Sequence, residues 1–79
     1  MKELARSNWN YILYEDDENL LLSVVCGSIG LFDRNISLNA VEKKSYLKEG
    51  IIYIEKLAVL IRKDPKKYEF RHIILKSDK

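Results

Sequence analysis

The chain has 79 residues but only one cysteine, one histidine and one proline. Each scarcity closes a route. A single cysteine cannot form an internal disulfide, and one cysteine with one histidine is too few ligands for a structural zinc site. A lone thiol fits a reducing compartment, so the expectation is a cytoplasmic protein. Long apolar runs are missing too. The uncharged stretch at 20–32 covers thirteen residues, short of the ~18 needed to span a bilayer. Residues 1–9 hold two basic side chains with no apolar run behind them, which is not a signal-peptide pattern. Scattered carboxylates, one histidine and one cysteine offer no set of matched acids and bases for catalysis. The expectation is a non-enzymatic chain with no cofactor, no metal and no membrane role.

A chain of this length makes one domain, of a size at which a single core supplies only a few kcal/mol. With disulfides and metals set aside, self-association is the stabilising device left open. The formal net charge is +2, unevenly spread. Residues 1–19 carry two positive and five negative charges, and residues 61–79 carry seven positive and three negative. The C-terminal end is therefore a candidate electrostatic patch.

Residues 39–63 read as one long helix around which the rest is arranged. Asn39 is a good N-cap, and Glu42 three residues on completes the spacing of a capping box. Arg62 and Lys63 place positive charge near the last carbonyls, and Asp64-Pro65 stops the helix. Spaced at about 100° per residue, Leu47, Gly50, Ile51, Ile54, Leu57, Ala58 and Ile61 share an apolar face, widened by Tyr46, Tyr53 and Leu60. Val41, Ile52 and Val59 fall instead among the charges. Gly50 has two readings: close approach to a sheet, which is preferred, and a break into two helices that re-phases the halves. A straight helix of this length spans ~36 Å, while strands of seven residues span only ~23 Å. Part of the second apolar stripe would then overhang the sheet.

The other segments read as strands. Residues 9–14 (WNYILY) form the first, with Trp9, Tyr11 and Leu13 on one face. The acidic residues 15–19 are a hairpin tip, since their spacing does not match a calcium loop. Residues 20–27 are apolar on both faces and suit a central strand. Cys26 on that strand is read as a buried thiol, with a Cys26–His72 pair left open. Gly27 and Gly30 mark a turn that lacks the ending of a phosphate loop. Residues 31–38 form the third strand, with Phe32, Arg34, Ile36 and Leu38 on one face. Asp33, Asn35 and Ser37 lie on the other, which should be solvated or meet a partner. Residues 68–75 alternate and read as a fourth strand or an extended arm, with a single turn possible from Pro65. Residues 1–8 and 76–79 are expected to be flexible. The fold class is α+β: a three-stranded antiparallel meander, one long helix with a possible bend at Gly50, then a C-terminal extended segment.

The functional expectation is a small protein-interaction module, self-associating as a homodimer. Its candidate interface is Val41, Ile52, Val59, Phe70, Ile73 and Ile74. A second expectation is weak nucleic-acid binding through Arg62, Lys63, Lys66, Lys67, Arg71 and Lys76, where basic residues lie near Tyr68, Phe70 and His72. The modest net charge and lack of a motif weigh against it. A third is a toxin-neutralising protein of the bacterial immunity type, with no target indicated by any residue.

Overall fold

The computed structural model describes residues 2–27, 30 and 32–73. Four strands form one antiparallel sheet in chain order: β1 (Lys2–Ser7), β2 (Tyr11–Asp16), β3 (Asn19–Cys26) and β4 (Phe32–Ser37). Two helices follow, α1 (Ala40–Glu49) and α2 (Ile51–Lys63), and then a 3-10 segment, Pro65–Arg71. The class is α+β, as the sequence suggests. Among the described residues the counts differ, with four strands rather than three and two helices rather than one.

Alternation fixes the core. Leu13, Leu22 and Ile36 stand in one cross-strand row, with Tyr11 opposite Val24 in the next. These side chains, with Cys26 and Leu38, are buried under Ile54, Leu57, Ala58 and Ile61 of α2. Helical residues spaced by three and four thus meet strand residues spaced by two. Burial of each such aliphatic side chain stabilises by roughly 1.5–3 kcal/mol. β3 lies between β2 and β4, the central place that its two apolar faces require.

Residues 2–7, expected to be a flexible arm, are strand β1. Only Ala5 of that strand packs against the core, and its register slips between Glu3 and Ala5. A polar edge strand with a bulge has little apolar alternation to betray it. Trp9 is correspondingly not on a strand. It occupies the β1–β2 turn with φ 62, and Asn10 N–H donates to the Ser7 carbonyl at 2.9 Å. The second hairpin tip is tighter than expected. β2 runs to Asp16, β3 restarts at Asn19, and Asp17 takes φ 57 between them.

Gly50 breaks the helix. Its φ of 72 and ψ of −150 lie where side-chain-bearing residues are strained. A Cβ built there would meet nothing within 4 Å, so close approach to the sheet is not why a glycine is needed. Leu47 (81% exposed), Ile51 and Leu60, which spacing along a continuous helix puts on its core face, are exposed. The break does not bring Ile52 or Val59 inside.

Residues 68–73 do not form a regular fourth strand, and residues 74 and 75 of that reading lie outside the described residues. Pro65–Arg71 is a 3-10 segment, and His72 then forms an isolated antiparallel bridge with Ile36. Ile73 N–H donates to the Asn35 carbonyl at 2.8 Å, so the chain touches the free edge of β4. Ile74, Leu75 and residues 76–79 lie outside the described residues, as do Ser28, Ile29 and Leu31 of the β3–β4 connection.

Gly50→Ala distinguishes the observed break from an uncrowded glycine inside a continuous helix. In a straight helix alanine stabilises by ~1 kcal/mol. At the observed backbone angles it destabilises by about 1–3 kcal/mol, which is the outcome expected. The denaturation midpoint of the variant measures the sign directly.

Candidate functional site

The surfaces left free follow from how the helices dock. α1 begins with the expected capping box: Asn39 Oδ1 accepts from Glu42 N–H at 2.8 Å, and Glu42 Oε1 accepts from Asn39 N–H at 2.9 Å. Glu42 is also buried, and Arg71 grips it from the C-terminal segment. Arg71 Nη2 donates to Oε1 at 2.6 Å and Nη1 to Oε2 at 3.0 Å, while Nη2 also reaches the Ser37 carbonyl at 2.9 Å. Burial pushes the Glu42 carboxyl up, but the Arg71 hydrogen bonds and the Asn39 amide outweigh it and hold the pKa below the ordinary value.

Arg62 is a second tie. Its Nε donates to the Val25 carbonyl at 3.1 Å and its Nη2 to the Asn10 carbonyl at 3.2 Å, with a further bond to the Asn10 side-chain oxygen. The end of α2 is thereby fastened to the β1–β2 turn. The six basic residues of the C-terminal patch are thus divided. Arg62 and Arg71 hold the fold together, Lys63, Lys66 and Lys67 are exposed, and Lys76 lies outside the described residues. The sequence shows these cations as one run, and only tertiary placement separates the ties from the surface charges.

Of the candidate interface, Val41, Ile52, Val59 and Phe70 are exposed and Ile73 is half-buried. Ile74 lies outside the described residues. Ile52 (57% exposed) and Val59 (52%) are seven residues apart on α2. At 100° per residue they point about 150–170° away from the centre of the buried face. Glu55 and Lys56 lie between them in sequence and flank that line on opposite sides.

The outer face of the sheet, opposite the helices, is concave. It forms a groove of about 680 Å³ whose lining includes Trp9, Tyr14, Ser23, Asp33, Asn35 and His72. Sequence alternation had already put Asp33 and Asn35 on this face, but Trp9 reaches it only because the turn removes that residue from strand β2. His72 therefore belongs to the groove and Cys26 to the core, and the two are not brought together. Cys26 is 1% exposed, and burial raises its thiol pKa against the partial opposition of Arg34 and Arg62.

Among the described residues no group of three or more His, Cys, Asp or Glu is placed to hold a metal ion. No helix among them is long and apolar enough to cross a membrane. No family model, curated protein or solved structure matches the chain.

The thiol's burial predicts that Cys26 resists a water-soluble disulfide reagent at neutral pH in the native state and reacts at once in denaturant. Absorbance of the released thiolate follows both rates. Rapid native labelling would mean that Cys26 is reachable from solvent.

Proposed function

We propose that the chain is a small protein-interaction module that associates with a second copy of itself through the outward face of α2. The observation that carries this reading is the Ile52–Val59 line, exposed on the side of α2 opposite its buried face. Burying it against another chain adds core to a domain whose length gives it little of its own.

Two of the charges beside that line, Glu55 and Lys56, suit a like partner. Glu55 and Lys56 sit about 50° to either side of it. A two-fold axis parallel to the helices sets Glu55 of each copy beside the partner's Lys56, at nearly equal height. An antiparallel pairing sets like charges together instead. Two apolar rows closed by reciprocal ion pairs are the usual economy of paired helices.

Nucleic-acid binding has less support. Arg62 and Arg71 are the side chains best suited to bidentate phosphate contacts, and both are held by protein acceptors. The exposed Lys63, Lys66 and Lys67 suffice only for weak, salt-sensitive attraction.

Light scattering at several concentrations tests self-association. The expected mass approaches twice the 9.3 kDa of one chain, and Ile52→Glu with Val59→Glu returns the monomer mass with the circular dichroism unchanged. A mass of 9.3 kDa at every concentration would overturn the proposal.

A further inference from the structure

We propose that the concave outer face of the sheet is a binding site for a neutral saccharide of one or two rings. The groove lies on the opposite side of the molecule from α2, so it is independent of the self-association surface.

Its first component is an aromatic platform. Trp9 is the only tryptophan in the chain and is 84% exposed. Its φ of 62 is costly for a bulky residue, yet the turn that carries it is firmly held. Asn10 N–H bonds the Ser7 carbonyl at 2.9 Å, the Asn10 carbonyl accepts Val25 N–H at 2.9 Å, and Arg62 donates to Asn10 as well. A broad indole carried at the lip of a groove presents an apolar, electron-rich surface on which the C–H face of a sugar ring can lie.

The second component is a polar floor of donors and acceptors. Ser23 is nine-tenths buried there, and Asp33 supplies a carboxylate. The Asn35 side chain lines the groove with its Oδ1 making no hydrogen bond among the described residues. With that oxygen unpartnered among the described residues, rotation about the terminal torsion can offer either end of the amide to a ligand. His72 Nδ1 accepts from Asn35 N–H at 3.2 Å. In the neutral ring this places the proton on Nε2, which is then a donor. Hydroxyl groups both donate and accept, and they match such a mixed set better than purely anionic or cationic groups do.

Charge and position narrow the class further. Arg6, the guanidinium in the lining, is paired with Glu3 at 2.8 Å, and Asp33 adds a negative charge. The groove therefore holds no cation excess to attract a phosphate. A peptide adding as a strand needs the free backbone groups of a sheet edge, whereas this groove lies on a sheet face. Its volume of about 680 Å³ is that of a small-molecule site.

Because Trp9 is the sole tryptophan, its fluorescence reports on the site alone. Cellobiose, maltose, lactose and diacetylchitobiose are titrated into the full chain up to roughly 10 mM, with AMP and triglycine as comparison ligands. The expected result is a saturable emission change with at least one disaccharide, at a Kd of ~1 mM, and none with AMP or triglycine. Asn35→Ala weakens that binding about 5- to 10-fold. If Asn35→Ala fails to fold, Trp9→Ala serves in its place, since so exposed a side chain carries none of the core, and calorimetry should then show binding lost. The proposal is overturned if no disaccharide gives a saturable change, if AMP or triglycine binds as well, or if the folded variant binds like the parent.

Discussion

The contact on which the arrangement depends is Glu42 with Arg71. Glu42 closes the capping box at the start of α1, and its two oxygens also receive Arg71 from the far end of the described chain. Arg71 in turn bonds the Ser37 carbonyl at the end of β4. One buried carboxylate therefore ties together a helix start, a strand end and the 3-10 segment. α1 needs this tie because Glu42 is its only buried residue, whereas α2 is held by four buried apolar side chains. A carboxylate buried without its cation would cost several kcal/mol, so the pair also specifies where residues 65–73 must lie.

That placement decides which surfaces remain free. With Arg71 anchored, His72 and Ile73 reach the edge of β4, and His72 joins the outer groove. Arg62 makes the parallel connection at the other end, holding the Trp9 turn against the end of α2. The helix break then separates two roles. α1 is positioned by polar contacts, while α2 lays one apolar face on the sheet and leaves Ile52 and Val59 outward.

Much of this can be read in the sequence, for physical reasons. The capping box is local, and period-2 alternation marks Leu13, Leu22 and Ile36 wherever the strands end. The outward placement of Ile52 and Val59 follows from helical spacing alone, and it survives the break. The polar face of β4 was also legible, although not the groove it floors. Other features depend on distant partners. β1 is a strand because β2 offers it an edge, not because KELARS alternates. Gly50 could serve close packing, the preferred reading, or a break into two helices, and only its backbone angles decide between them. Arg62 and Arg71 look like members of a basic patch, and nothing in their neighbours shows that carbonyls and a carboxylate elsewhere in the fold claim them.

A double-mutant cycle between Glu42→Gln and Arg71→Met, followed by denaturant unfolding at pH 7 and pH 3, tests this account most directly. Glutamine retains the cap, so the cycle isolates the ion pair. Because the folded pKa of Glu42 is lowered, its contribution is fully present above the ordinary glutamate range, about 4.3, and is lost as pH falls through the folded value. The predicted coupling is about 1.5–3 kcal/mol at pH 7, as for a hydrogen-bonded charge, and clearly smaller at pH 3. A coupling below about 0.5 kcal/mol at pH 7, the scale of an exposed surface pair, would contradict the central place given to this contact.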